Sequence, residues 1–387
     1  MSNTVPAPAL SDIFGGLYAG KRVLVTGHTG FKGAWLTEWL LALGAEVTGL
    51  SLPPPTNPAL FDQLGLAARL GTRHRIGDIR DQAVVDRVIG GTQPEFVFHL
   101  AAQPLVRLSY CEPVNTYATN IMGTVHVLDA IRRHAASLPC AIVAVTTDKC
   151  YENKEWLHAY REEDPMGGHD PYSSSKGAAE LIIHAYRRSF FSAPDSPVRL
   201  ASARAGNVIG GGDWARDRIV PDCVRALASG ETIPVRNKTA TRPWQHVLEP
   251  LSGYLWLAAA LSGLRPARFP FPAAVYAGAF NFGPALASNR TVADLVREIL
   301  KHWPGRWSDQ SKPDAPHEAT LLNLATDKAH HLLRWSPVWS FEETIGQTIA
   351  WYGTTAANPA TASALTTRQI TAYTIAAKTA GFPWAAV

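Results

Sequence analysis

Between Lys21 and Leu52 the chain reads KRVLVTGHTGFKGAWLTEWLLALGAEVTGLSL, which predicts a strand, a glycine turn, a helix and a second strand in direct succession. The apolar run Val23–Val25 is a short buried strand, and Glu46–Leu50 is another, ended by Pro53–Pro55. Between them Trp35, Leu36, Trp39, Leu40 and Leu43 recur with helical spacing, and Gly44 stops the helix. Gly27, Gly30 and Gly33 fill the turn that enters that helix. Such a turn lets backbone approach a pyrophosphate and aims a helix N-terminus at its charge. Three isolated glycines would mark only a strand-to-helix turn. The apolar strand before them and the amphipathic helix after them favour a dinucleotide site.

The same alternation continues. GDIRD (Gly77–Asp81) follows a short strand, and Glu95–Ala102 contains another. A helix from about Val114 to Ala136 leads into the strand CAIVAVTT, and a helix over Tyr172–Phe191 precedes the strand in VRLASARAGNVIG. Strands separated by helices of this length form right-handed βαβ units and a parallel sheet covered on both faces. The expected class is α/β, a Rossmann-like doubly wound parallel sheet over residues 1–210 with a smaller, interwoven C-terminal substrate-binding lobe over 211–387. A helix near 247–264 returns from that lobe to the sheet. The Ala- and Thr-rich tail from Thr354 is expected to be disordered to about Thr367, with a helix over Arg368–Ala377.

Composition narrows the function classes. Lys and Arg are scattered, and the net charge is only +4 over 387 residues, which argues against a nucleic-acid partner. Leu251–Leu264 is too short and interrupted to span a bilayer. The four cysteines show no metal-ligand spacing, and the first residues have no basic or apolar signal-peptide pattern. A cytoplasmic protein with reduced thiols and no bound metal is expected.

Two short segments carry the chemistry, TTDK at Thr146–Lys149 and YSSSK at Tyr172–Lys176. On a helix Tyr172 and Lys176 share one face, where an ammonium favours a phenolate and lowers the Tyr pKa. Such a Tyr takes the proton of an alcohol as hydride leaves the same carbon. Thr147 holds that alcohol, while Asp148 and Lys149 add an acid and an amine that suggest a second proton transfer. For the cofactor, the acidic residue expected about 20 residues after the glycines is missing, and Ser51 stands at the end of the second strand. No Arg is there to receive a 2′-phosphate, so NAD is favoured. Asp78 reads either as a contact to the adenine edge or as a helix N-cap. The small residues of His99–Ala102 permit close approach of a flat cofactor, and His28 reads as a hydrogen-bonder within the glycine loop. Asn207 and Arg242 suit a pyrophosphate, Arg because its fork matches phosphate oxygens. Trp214 and Trp244 read as core.

Taken together, TGHTGFKG, GDIRD, HLAAQ, TTDKCY and DPYSSSK resemble the extended short-chain dehydrogenase/reductases that act on nucleotide sugars. TGHTGFKGAWL, HLAAQPLVRLSY, TTDKCYEN, RAGNVIGGGDWARDRIVPD, RPWQHVLEPLSGYL and PHEATLL resemble, within them, the CDP-glucose 4,6-dehydratase family. The resemblance spans roughly Gly20 to Tyr352 in the family order. It implies NAD contacts from Gly27, Gly30, Phe31, Lys32, Gly33, Asp78, Ile79, Leu100, Ala101, Ala102, Tyr172 and Lys176. It also implies CDP-sugar contacts from Gln103, Asn207, Arg218, Arg242, His317 and Glu318. Related dTDP-sugar dehydratases carry Glu as base where this chain has Lys149, as in the CDP-glucose branch. The implied reaction is oxidation at C4 through Tyr172, removal of the C5 proton by Lys149, protonation of the departing C6 hydroxyl by Asp148, and return of hydride to C6. A 4-epimerase would use the same Tyr, Lys and Thr without needing Asp148 and Lys149. A non-catalytic NAD-binding sensor would need only the glycine loop. By analogy a homodimer or homotetramer is expected, paired through helices flanking the site.

Overall fold

The structure is a computed structural model that describes residues 9–134, 138–264, 268–311 and 321–386. Strands β1 (Arg22–Thr26), β2 (Glu46–Ser51), β3 (His74–Ile76), β4 (Phe96–His99), β5 (Cys140–Val145) and β6 (Val198–Arg204) come first along the chain. Three short pairs follow: β7 (Val208–Ile209) with β10 (Gln245–His246), β8 (Ile233–Val235) with β13 (Trp307–Asp309), and β9 (Thr241–Pro243) with β12 (Asn289–Thr291). Strand β11 (Ala279–Asn281) returns from this region to lie beside β6. Among the described residues, seven parallel strands thus form one sheet in the order β11-β6-β5-β4-β1-β2-β3. The order reverses between β1 and β4, which opens a crevice at their carboxyl ends.

Helices before β6 are α1 (Phe31–Ala42), α2 (Leu60–Gln63), α3 (Leu66–Leu70), α4 (Gln82–Thr92), α5 (Val106–Cys111), α6 (Pro113–Tyr117), α7 (Gly123–His134) and α8 (Pro171–Phe190). After β6 come α9 (Ile219–Ala228), α10 (Leu248–Ser262), α11 (Val292–His302), α12 (Asp327–Leu333), α13 (Phe341–Ala357) and α14 (Ala362–Thr379). Because side chains alternate along a strand, Val23 and Val25 face one core with α1, α10 and α14, and Leu24 faces another with α4, α7 and α8. The helix expected over Val114–Ala136 is α6 and α7 joined by a π-helical turn at Ala118–Met122, and residues 135–136 lie outside the described residues.

The tail departs from expectation. Residues 354–367, expected to be disordered, lie largely within α13 and α14. Threonine is a poor helix former, but here Thr355, Thr366, Thr371 and Thr374 donate to the carbonyl four residues back. Leu365, Ile370 and Tyr373 are buried on the same face of α14 as Thr366 and Thr374, so tertiary packing overrides propensity. Phe14, near the start of the chain, stacks on Trp384 with ring centroids 5.4 Å apart, closing the same core.

Candidate active site

The glycine turn sits at the crevice, and two of its glycines are there for space. A Cβ on Gly33 would lie 2.0 Å from the Gly27 carbonyl oxygen, and one on Gly27 would lie 2.7 Å from the Ala101 nitrogen. Gly27 also has φ +77°, a left-handed conformation that glycine adopts without cost. The turn from β1 therefore packs directly on the Leu100–Ala101 backbone after β4, where the Ala101 N–H donates to Thr26 Oγ1 at 3.2 Å. Gly30 caps α1 without a side chain, leaving the helix N-terminus open to an anion. These features fit a dinucleotide whose pyrophosphate approaches backbone.

Around this turn the remaining predicted cofactor residues take varied places. Ser51 and Thr29 hydroxyls meet at 2.8 Å, and Thr29 donates onward to the Leu52 carbonyl. His28 bonds to His74 at 2.7 Å, its ring lying where a side chain on Gly49 would be. Burial, then the neighbouring His74, lowers the His28 pKa to about 4. Asp78 accepts from the Arg80 backbone N–H and guanidinium, both at 2.8 Å, and that pairing lowers its pKa. The helix cap is Asp81, which accepts from the Ala83 and Val84 N–H groups. Ile79 is buried against Gly123 of α7. Ala102 is half-buried, and Phe31 lies beside Gly210.

The second predicted cluster forms at the end of β5. Thr147 Oγ1 donates to Asp148 Oδ1 at 2.9 Å, and Asn207 Nδ2 donates to Asp148 Oδ2 at 3.0 Å. A Cβ on Gly206 would meet that carboxylate at 2.0–2.2 Å, so this glycine makes room for Asp148. Asn207 adopts φ +52° as it turns toward the acid. Lys149 is half-buried, and its ammonium makes no hydrogen bond or ion pair among the described residues. Tyr172 and Lys176 are buried on α8, the Tyr172 N–H donating to Ser109 Oγ at 3.1 Å and Lys176 Nζ to the Val145 carbonyl at 3.5 Å.

The expected lowering of the Tyr172 pKa by Lys176 is not what this arrangement produces. Burial pushes Tyr172 up to about 12, and the opposing influences are its hydrogen bond with Thr147 and the charge of Arg218. Lys176 is itself lowered to about 8 by burial, with Glu180 working in the opposite direction. Desolvation is the largest influence on both groups. Lys32 joins the cluster, lowered to about 8 by burial and by Arg218 and Lys176 against the pull of Asp148.

On the substrate side, Arg218 Nη1 pairs with Asp213 at 2.8 Å, and that pairing raises its pKa. Arg242 lies on β9 and donates to the Thr241 carbonyl at 2.9 Å. Gln103 is engaged within its own loop, its amide donating to Thr116 Oγ1 and the Leu105 carbonyl and accepting from the Leu105 N–H. His317 and Glu318 lie outside the described residues. Trp244 is buried and donates to the Arg290 carbonyl, and Trp214 packs edge-on against Tyr352.

A family model described as GDP-mannose 4,6 dehydratase matches residues 24–261. Over 340 residues, 87% of this chain and 91% of the relative, the sequence is 46% identical to CDP-glucose 4,6-dehydratase of Salmonella typhimurium. The chain belongs to the GDP-mannose 4,6-dehydratase family. Another relative is dTDP-glucose 4,6-dehydratase of Streptomyces niveus, 26% identical over 86% of this chain and 92% of that protein. The crystal structure of dTDP-glucose 4,6-dehydratase from Bacillus anthracis in complex with NAD shares the fold, with a TM-score of 0.67 at 20% identity over 87% of this chain and 97% of that one.

In this family member, sequence reasoning missed Asn120, whose amide exchanges hydrogen bonds with the Gln103 backbone and donates to Ser175 between Tyr172 and Lys176. It sits in the π-helical turn, a feature that favours functional sites but leaves no sequence signature. Asp213, the partner of Arg218, was also missed, though it stands in the GGGDWARDR loop.

Proposed function

We propose that this protein converts CDP-D-glucose to CDP-4-keto-6-deoxy-D-glucose. The observation that carries the reading is the convergence of Thr147, Asp148, Lys149, Tyr172 and Lys176 at the carboxyl end of β5, in a chain 46% identical to a CDP-glucose 4,6-dehydratase. The dinucleotide would lie over Gly27, Gly30 and Gly33 with Leu100–Ala102 beneath it. When bound, NAD would supply the hydride acceptor for C4 and the hydride donor for C6. Tyr172, bonded to Thr147 and with Arg218 favouring its ionised form, takes the C4 hydroxyl proton as the phenolate and becomes the neutral phenol as the C4–H bond breaks. The resulting C4 ketone acidifies the C5 proton. The amine of Lys149, which has no partner among the described residues, removes that proton, and Asp148 protonates the C6 hydroxyl as it leaves as water. Thr147 and Asn207 orient the Asp148 carboxyl through its two oxygens.

The chain after residue 210, with Arg218 and Arg242, forms the CDP-binding side of the cleft. Large apolar side chains stand exposed on two packed helices, Val114 on α6 and Leu181 on α8, with Tyr110 and Met122 nearby in sequence. This supports pairing of two copies through that face. No helix among the described residues is long and apolar enough to cross a membrane. A cytoplasmic setting would keep the four unpaired cysteines reduced. The test is incubation of the protein with CDP-glucose and NAD+, followed by mass and NMR analysis of the sugar. Loss of one water, a C4 ketone and a C6 methyl group are expected. An unchanged mass with inverted C4 would assign an epimerase instead.

A further inference from the structure

Below the reacting groups lies a buried ion pair that the mechanism does not use. Glu180, one helical turn beyond Lys176 on α8, pairs with Arg204 at the end of β6 at 2.8 Å, both only 4% exposed. Glu180 Oε2 also accepts from Ser202 Oγ at 2.8 Å, and Oε1 accepts from Thr146 Oγ1. Arg204 Nη1 donates to Tyr151 Oη at 2.7 Å and to the Glu162 carbonyl at 2.9 Å. Tyr151 Oη in turn donates to Asn281 Oδ1 at 2.7 Å.

The placement of the two hooks is informative. Thr146 is the residue immediately before the Thr147–Asp148–Lys149 turn, and Tyr151 lies two residues after Lys149, beyond Cys150. The anion of the pair holds the near end of the turn and the cation holds the far end. On α8, Lys176 touches the Val145 carbonyl and Glu180 touches Thr146, so adjacent residues of the strand end meet residues one turn apart on the helix. Thr146 is further pinned by its N–H to the Ala203 carbonyl at 2.9 Å.

We propose that Glu180 and Arg204, acting through Thr146 and Tyr151, are positioning residues that bracket the turn and set Thr147, Asp148 and Lys149 against Tyr172 and Lys176. None of the four touches the reacting atoms. A buried charged pair carries a large desolvation cost, which favours a geometry that pairs its donors and acceptors; here both Glu180 oxygens and both Arg204 Nη atoms are bonded, while Arg204 Nε has no partner among the described residues. Small misplacement of reacting groups costs rate steeply, so the bracket matters for turnover more than for nucleotide binding. The kinetic part of this inference rests on the dehydratase reading.

The test compares Thr146→Val, which removes the hydroxyl at nearly constant shape, with Thr146→Ser, which keeps it, and with Tyr151→Phe at the other end. In the Val variant kcat should fall at least tenfold while KM and CDP affinity by calorimetry stay within twofold. Hydrogen exchange across residues 146–151 should quicken. The Ser variant should recover kcat to within threefold of the parent, and Tyr151→Phe should repeat the Val pattern. If Thr146→Val does not fold, the Tyr151→Phe result decides. Unchanged kcat and unchanged exchange in the folded variants would overturn the bracket, as would a loss of CDP binding equal to the loss of rate. A parent protein that makes no 4-keto-6-deoxy sugar would sink the dehydratase reading alone, because the exchange measurement reports on the bracket independently.

Discussion

Asp148 shows how a single side chain is prepared for its role. Its two carboxylate oxygens each accept one hydrogen bond, from Thr147 and Asn207, and Gly206 leaves the space it occupies. Lys149 beside it is the contrast, a half-buried amine with no partner among the described residues. Replacing it with Met removes no fold interaction, so unfolding free energy should change by no more than about 0.5 kcal/mol. Product formation should fall by about 10²–10⁴-fold if its amine moves the C5 proton. A melting curve and the product assay on the same preparation check both halves. Retained activity would take Lys149 out of the proton transfer. The presence of an acid and an amine was legible in TTDK, whereas the demand for glycine at 206 was not, because it comes from a side chain far away in the chain.

Among the elements, α10 is the junction between the sheet and the C-terminal helices. Its Glu249 is fully buried and accepts from the Val338 and Trp339 N–H groups and from Tyr373 Oη of α14. Burial raises its pKa from 4.5 to about 7, with those hydrogen bonds opposing. A carboxyl whose folded pKa is raised contributes stability that is fully present below about pH 4.5 and is lost as pH rises through about 7. The size of that change is about 3 kcal/mol at 1.36 kcal/mol per pKa unit. Glu249→Gln should therefore remove this component. The difference in unfolding free energy between parent and variant should shift in favour of the variant from pH 4.5 to 8. A constant difference would show that Glu249 does not titrate in this range. The α13–α14 region also marks the limit of reading elements from composition, since its Ala- and Thr-rich segment folds only because α1 and α10 offer a surface to bury against.

At the scale of the whole molecule, the sheet order brings the Thr147–Lys149 turn and the Tyr172–Lys176 stretch of α8 together at the carboxyl end of β5 and leaves Val114 of α6 and Leu181 of α8 exposed. Val114 is 80% exposed and Leu181 61% exposed, on two helices that pack together. Changing both to Glu should shift the sedimentation coefficient to that of a single chain without altering the melting temperature by more than a few degrees. A parent protein that already sediments as a single chain would remove the pairing face.

The amino-acid sequence by itself determined the βαβ order, the glycine turn over Gly27–Gly33 and the two segments TTDK and YSSSK. Each of these is written within a short window, by residue period or by turn chemistry that no distant contact can replace. The tertiary structure alone decided that burial pushes the Tyr172 pKa up to about 12, that Asn207 meets Asp148, and that His28 meets His74. It alone joined Thr146, Glu180, Ser202 and Arg204 into one network. Burial and long-range pairing set these properties, and both come into being only when segments separated by dozens of residues are brought into contact.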